Sequence, residues 1–394
     1  MTKKPERILF LYLPTGGGHI SAARALASEI QSRYPNGEVE TFLLNGLSPK
    51  SKLQKNIVEG GYQFTTLTFP ILWAMVYQMS TSPFIMAAQS WAMTGYSAPY
   101  IRRFIREHQI TKVVNLHFLM NRPLYRALKQ IKQKDLPAIT VVTDPFTAHP
   151  LWFFSQFMHM IVFSKRVEKD GKLYLTLYRQ RELFGKRNRP AITRLPPILN
   201  PKFNKPLPKD EAKALKAQYG FDPARRLILI AGGGEGLPRG EEYLEAVRKA
   251  GLDVDIAMVC GKNQDLQDKA TKLSKVYRTQ DQVTKIYGFV DFMYDLMNMA
   301  DAVVTKAGPA TIFECLMLQK PLIITQRLYG QEQGNVDYVV KNQLGWFIPK
   351  PERMVEVLTE LLDNPEQFGE IRQRIKDRNI QNGTGVITDF ILSR

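Results

Sequence analysis

Twice along this chain a short apolar run ends in a cluster of glycines, and a helical pattern follows. Residues 7–13 lead into Pro14-Thr15-Gly16-Gly17-Gly18-His19, and residues 226–231 lead into Gly232-Gly233-Gly234-Glu235-Gly236. A strand that stops in glycines lets the backbone pass close to a ligand, with the amides of the next helix turned toward an anion. Around each cluster, short apolar segments alternate with helical ones, which is the pattern of doubly wound parallel sheets. Strands are expected at 7–13, 38–44, 112–116, 138–142, 160–163 and 192–195, with helices near 20–32, 122–132 and 168–177. The alternation restarts at 226–231 and continues at 254–259, 284–286, 302–305, 322–324 and 345–347. Between the halves lies Pro196-Pro197-Ile198-Leu199-Asn200-Pro201, followed by Pro206 and Pro208, a stiff linker. The expected organisation is α/β: a domain over 1–200, a linker over 196–209, and a domain over 210–394 whose last helix can pack back on the first.

A length of 394 residues, 44% of them apolar, suffices for two cores and argues against disorder. Cys260 and Cys315 are the only cysteines, which excludes a disulfide scaffold and suggests a reducing, cytoplasmic setting. Five scattered histidines without paired cysteines offer no structural zinc ligand set. The N-terminus lacks a signal-peptide pattern, and no apolar run reaches the roughly 18 residues of a membrane span.

The charge is lopsided. Residues 1–205 hold 29 basic and 11 acidic side chains, a balance of +18, while 206–394 hold 25 and 26, a balance of −1. A basic half of this kind is either a merely soluble surface or one that meets a polyanion, nucleic acid or an anionic membrane. From Gly60 to Ile101 no Asp, Glu, Lys, Arg or His occurs in 42 residues, which hold nine aromatics and four methionines, Trp73 and Trp91 among them. Pro70, Pro83 and Pro99 are expected to cut this segment into pieces too short to span a bilayer. Lys50, Lys52 and Lys55 precede it, and Arg102, Arg103 and Arg106 follow it. Aromatic and Met faces between cationic anchors suit the membrane interface. A buried core hairpin is the alternative, and the interspersed Thr, Ser and Gln favour the interface. Residues 165–205 add twelve basic residues against three acids, and no RNA-binding signature accompanies them. Anionic lipid is therefore the expected partner, and nucleic acid is not.

Several short motifs could carry chemistry. Gly17 and Gly18 can turn amides toward an anion, and His19 at the tip of that turn is a possible general base or a packing residue. Thr305-Lys306-Ala307-Gly308-Pro309-Ala310-Thr311 follows a strand and opens a helix with Pro at its first position, an arrangement suited to a pyrophosphate with Lys306 adding charge. Glu314, about one turn in, can reach a ribose diol. Gly330-Gln331-Glu332-Gln333-Gly334-Asn335 supplies donors and acceptors for sugar hydroxyls.

Together these motifs resemble the monogalactosyldiacylglycerol synthases, members of the GT-B glycosyltransferases related to the peptidoglycan N-acetylglucosaminyltransferase. The resemblance rests on TGGGH, GGGEG, TKAGPATIFE and GQEQGNVDYVV, with Val142-Thr143-Asp144 and His149-Pro150-Leu151-Trp152-Phe153, and it covers roughly 8–347. It implies two Rossmann-like doubly wound domains facing across an interdomain cleft. It also implies inverting, metal- and cofactor-independent transfer of a hexose from a UDP-sugar to diacylglycerol. Galactose is preferred; the alternatives are glucose, in single or processive transfer, and a non-catalytic protein that binds anionic lipid or nucleic acid. His19 is then the base, with Asp144 as alternative or orienting partner. Gly234 and Glu235 line the donor site, and Phe289 and Val290 lie against uracil. Gly308, Ala310 and Thr311 hold the pyrophosphate, Glu314 the ribose, and Gln331, Glu332 and Asn335 the sugar. His149 and Trp152 sit near the acceptor. The expected setting is peripheral, on the cytoplasmic face of a membrane, in a compact bacterial form without the longer N-terminal region of plant-type enzymes.

Overall fold

The computed structural model describes residues 5–15, 17–49, 70–131, 136–153, 159–180, 190–277 and 282–394, leaving aside the side chains of 70–73 and 178–180. The expectations placed on 60–69, on Gly16, on the basic residues at 50, 52 and 55 and on the side chain of Trp73 lie outside the described residues. Contacts divide the chain into two units. One is Met1–Pro201 with Leu328–Gly334 and Asn382–Arg394; the other is Lys202–Arg327 with Asn335–Gln381.

In the first unit six strands form one parallel sheet: β1 Glu6–Tyr12, β2 Val39–Asn45, β3 Lys112–Asn115, β4 Ala138–Val141, β5 His159–Val162 and β6 Ala191–Arg194. Their order is β2-β1-β3-β4-β5-β6. β1 shows why the sequence reads as an unbroken apolar run. Ile8 and Phe10 enter one core, Leu9 and Leu11 the other, and all four are fully buried. A strand covered on both faces has no polar side to alternate with. One cover is the helix Gly17–Arg33 with the last helix, Thr384–Leu392, through Leu26, Ile30, Ile387 and Ile391. The other is formed by Pro83–Glu107 and Asn121–Ile131 through Ile101, Ile105 and Leu124. Lys112 pins the last helix: its buried ammonium donates to the Ile391 carbonyl at 2.6 Å and pairs with Glu6. A cation there complements the negative end of the helix dipole.

In the second unit the strands are β7 Arg226–Ala231, β8 Val254–Val259, β9 Thr284–Tyr287, β10 Ala302–Lys306, β11 Leu322–Gln326 and β12 Gly345–Phe347. They too are parallel, in the order β12-β11-β10-β7-β8-β9. In each sheet the strand order reverses beside the first strand, between β1 and β3 and between β7 and β10. Ligands of such sheets bind at the carboxyl ends of the strands at this switch point. Both glycine clusters leave the sheet there. All twelve strands lie where the sequence places them, with ends shifted by no more than two residues.

One expectation is corrected. Pro70 and Pro83 each open a helix, Pro70–Ser80 and Pro83–Glu107, but Pro99 lies inside the second instead of ending it. The carbonyl crowded by its ring belongs to Gly95, around which a Cβ would meet open space, and packing of Met93, Ile101 and Ile105 into the core holds the helix through the proline. Among the described residues no helix is long and apolar enough to cross a membrane. The two helices nevertheless present Met75, Met79, Phe84, Trp91 and Tyr96 to solvent, with Phe84 82% and Trp91 67% exposed. The Arg122 guanidinium lies 4.6 Å over the Trp91 ring.

Candidate functional site

At the switch point of the first unit, the loop after β1 delivers His19 into the first turn of Gly17–Arg33, where it is 6% exposed. Its Nδ1 is 2.8 Å from Thr143 Oγ1, just beyond β4, and the ring also bonds to the Leu116 carbonyl. The Thr143 hydroxyl donates to Nδ1 or accepts from it as the tautomer of the ring dictates. Burial drives the His19 pKa down to about 4, against the Leu116 bond, which favours the charged form.

Asp144 follows Thr143 and is 4% exposed. Trp152 Nε1 donates to Oδ2 at 2.6 Å and Gln331 Nε2 to Oδ1 at 3.3 Å. Burial raises its pKa to about 6; the two hydrogen bonds oppose the rise and the nearby Glu332 adds to it. His149 is buried alongside. Its Nδ1 accepts the Leu151 amide at 3.1 Å, so Nε2 carries the proton and donates to Ser80 Oγ at 3.0 Å, while the Ser80 hydroxyl donates to the Tyr77 carbonyl. Phe118 stacks on the His149 ring and Tyr77 meets it edge-on, and burial lowers its pKa to about 4. Trp152 is fully enclosed. It has no surface to offer a lipid, and its one polar atom is committed to Asp144.

The loop 328–334 closes against this cluster. Gly330 has φ +77°, and a Cβ there would come within 2.2 Å of the Tyr77 ring. The Gly334 amide donates to Thr147 Oγ1 at 2.8 Å. Glu332, 5% exposed, turns its carboxylate back to the Leu328 amide at 2.7 Å. Gln331 is the more open of the two and reaches Asp144.

At the switch point of the second unit, the turn 232–236 is backbone packed on backbone. A Cβ on Gly236 would lie 2.6 Å from the Cys260 carbonyl oxygen, and one on Gly261 2.2 Å from that of Gly234. Gly233, Gly234 and Glu235 are exposed at its crest, and the Lys262 amide donates to the Gly234 carbonyl at 2.8 Å. The side chain of Lys306 lies between the two turns, its Cε within 4 Å of where a Cβ on Gly233 or on Gly308 would stand. Gly308 caps the helix Pro309–Met317 without a side-chain bond, so the first amides, near Ala310 and Thr311, are left to a ligand. Glu314 has no hydrogen bond or ion pair to its carboxylate among the described residues, and burial raises its pKa to about 7. Asn335, 2% exposed, donates to the Ala307 carbonyl at 2.8 Å, while its Oδ1 is unpaired among the described residues. Phe289 stands 66% exposed after β9, with Val290 half-buried beside it and the Lys262 ammonium 5.8 Å from the Phe289 ring centroid.

The structure thus gathers His19, Asp144, His149, Trp152, Gln331 and Glu332 in one unit. At the switch point of the other it gathers Gly234, Glu235, Lys306, Gly308, Glu314 and Asn335, while Phe289 stands after β9, the edge strand of that sheet. Sequence reasoning passed over His117, Tyr77 and Ser80. His117 had a signal available, since it stands directly after the strand that pairs with β1. Among the described residues no group of three or more His, Cys, Asp or Glu is arranged to hold a metal ion.

The two halves of the chain match separate families of known proteins. The profile of the monogalactosyldiacylglycerol (MGDG) synthase family matches residues 19–173, and that of the glycosyltransferase family 28 C-terminal domain matches 227–383. Monogalactosyldiacylglycerol synthase 1, chloroplastic, of Arabidopsis thaliana is 29% identical over 367 residues, 91% of this chain. A probable monogalactosyldiacylglycerol synthase, chloroplastic, of Glycine max is 28% identical over 368 residues, again 91% of this chain. The chain spans 65% of the length of each of these relatives. The crystal structure of Acinetobacter baumannii MurG superposes with a TM-score of 0.58 at 12% identity, covering 99% of this chain and all of that one. Fold and site together define a glycosyltransferase of GT-B architecture. More particularly, its first part matches the monogalactosyldiacylglycerol synthase model and its second the family 28 C-terminal domain, so the chain is similar to the monogalactosyldiacylglycerol synthases.

Proposed function

We propose that this protein transfers a hexose, galactose by preference, from a UDP-sugar to the free hydroxyl of diacylglycerol at a membrane surface. One observation carries the lipid acceptor. The helix Pro70–Ser80 exposes Met75, Val76 and Met79, while its Tyr77 and Ser80 turn to His149 within the buried cluster. The same element that offers an apolar face to a bilayer therefore walls the group of titratable residues, and an acceptor that cannot leave the bilayer needs that arrangement. The basic balance of residues 1–205 supports an anionic surface on the cytoplasmic side, met peripherally.

The donor falls to the second unit. Uracil lies by Phe289 and Val290, the ribose hydroxyls by Glu314, and the pyrophosphate on the amides after Gly308 with Lys306 beside them. The departing UDP gains charge, and preorganised amides with one ammonium stabilise it without a metal ion. The loop 330–335 reads the sugar: Gln331 is accessible, Glu332 shapes the loop, and the unpaired Asn335 Oδ1 is an acceptor for a hydroxyl. His19 takes the acceptor proton, with the Thr143 hydroxyl held against its Nδ1. A single displacement inverts the anomeric centre, so an α-linked donor gives a β-glycoside.

The test offers the purified protein anionic vesicles containing diacylglycerol, with UDP-galactose or UDP-glucose in separate reactions containing a chelator. Mass spectrometry and NMR then identify the lipid. β-Galactosyl-diacylglycerol is the expected product. A glucolipid alone would replace the sugar, and absence of any glycolipid while UDP still binds would overturn the acceptor.

A further inference from the structure

Beside His19 lies a second buried imidazole, His117, for which the reaction above has no task. It follows β3 at the switch point and is 2% exposed. Its Nδ1 accepts the Leu119 amide at 3.2 Å, so the proton of the neutral ring lies on Nε2, which donates to Thr15 Oγ1 at 2.8 Å. Thr15 belongs to the loop that carries His19 into its helix. The His117 ring meets the His19 ring edge-on, with centroids 4.6 Å apart, and stacks on Phe118. Its own amide is held by Asn115 Oδ1 at 3.2 Å. Asn115 in turn donates to Asn121 at 2.7 Å, and Asn121 holds the carbonyls of Leu151 and Trp152 at 3.2 and 3.0 Å. One hydrogen-bonded chain therefore ties the loops after β1 and β3 to the turn that presents Trp152 to Asp144. A residue needed only for volume would not bury two ring nitrogens, since an apolar ring fills the space without that desolvation cost.

We infer that His117 is a positioning residue for the transfer: through Thr15 it fixes the loop that presents His19, and its ring sets the orientation of the His19 imidazole. The inference rests on His19 taking the acceptor proton. Burial, and then the neighbouring His19, hold the His117 pKa well below its ordinary value, so it acts as a fixed N–H donor and not as a proton carrier.

The experiment compares wild type, Thr15→Val, His117→Phe and the double variant in the vesicle assay, with ¹⁵N-detected tautomer spectra of the histidines. Each single variant should lower kcat by about 10-fold or more while the KM for UDP-sugar stays within about twofold, and the double variant should be no worse than the poorer single. His117→Gln, which keeps an N–H donor, should recover part of kcat. Independent losses that multiply, or an unchanged kcat in Thr15→Val, would overturn the inference. If His117→Phe does not fold, Thr15→Val decides alone. If the wild type makes no glycolipid, the proposed reaction fails, and the spectra still judge the inference. His117 must be the Nε2–H tautomer at pH 7, and Thr15→Val must shift the His19 ring signals; His19 signals indifferent to Thr15 would overturn it.

Discussion

The acid limb of the pH–rate profile separates the two groups able to take the acceptor proton. Both must be deprotonated to act, so activity is lost as pH falls through the pKa of whichever one is the base. For His19 that value is about 4, because burial disfavours the imidazolium, and for Asp144 it is about 6, because burial disfavours the carboxylate. At pH 5 a base of the first kind is about 90% unprotonated and one of the second kind about 10%, a difference of roughly tenfold in kcat/KM. The diphosphate of a UDP-sugar is fully ionised across this range, and the Glu314 carboxyl, raised to about 7 in the donor site, is removed from the comparison by recording every profile in a Glu314→Gln background. The assay is initial rate on diacylglycerol vesicles from pH 4.5 to 8.5, with return to pH 7.5 after each exposure to exclude unfolding. With His19 as base, kcat/KM should stay flat to about pH 5, and Asp144→Asn should change the plateau without moving the limb. A limb near pH 6 that disappears in Asp144→Asn would refute the assignment and make Asp144 the base.

Three further perturbations test other parts of the site. Glu314→Gln removes a carboxyl whose ionised form is unfavourable in the fold. It should therefore stabilise the free protein by about 1–3 kcal/mol at pH 8, where the acid is charged, and not at pH 5, where it is protonated, by thermal unfolding; calorimetry should show weakened UDP binding. Trp152→Phe leaves a buried Asp144 oxygen without its donor and should cost about 1–3 kcal/mol of stability and lower kcat more than it raises KM; a silent variant would remove the bond from the mechanism. Replacing the exposed Phe84 and Trp91 together by Ser should reduce binding to anionic vesicles by about 10²-fold with an unchanged melting temperature, whereas loss of the fold would return the segment to the core.

How much of this could be read in the sequence follows from the range of the interactions. Strand positions were legible because a strand buried on both faces must be a short apolar run, and Ile8-Leu9-Phe10-Leu11 can be little else. Turns such as Gly236 and Gly261 were legible as glycines, though not that each makes room for a carbonyl of another turn. Pro99 was misread because its local rule is overridden by core contacts of Met93 and Ile105, which no window of sequence contains. The segment 60–101 was legible as a charge-free aromatic stretch, but which of its described residues face outward was not. Met86 and Met93 are buried in cores while Met75 and Met79 are exposed, and all four look alike in sequence.

The site divides along the same line. Motif residues in the loops after strands and the opening turns of the helices that follow, His19, Asp144 and Glu314, announce themselves by type and position. The residues that set their chemistry do not, because they act through hydrogen bonds between loops far apart in sequence: Trp152 on Asp144, Thr143 on His19, Ser80 on His149, 69 residues away. Tautomer and pKa follow from these partners and from burial, so a sequence can nominate a base but cannot say which nitrogen bears its lone pair. His117 is the sharpest instance. Its role depends on Leu119 fixing the proton on one nitrogen and on Thr15, 102 residues earlier, receiving it from the other. If the two bonds act as one device, the effects of removing them must overlap and not add. Sequence alone gives no reason to make that double variant.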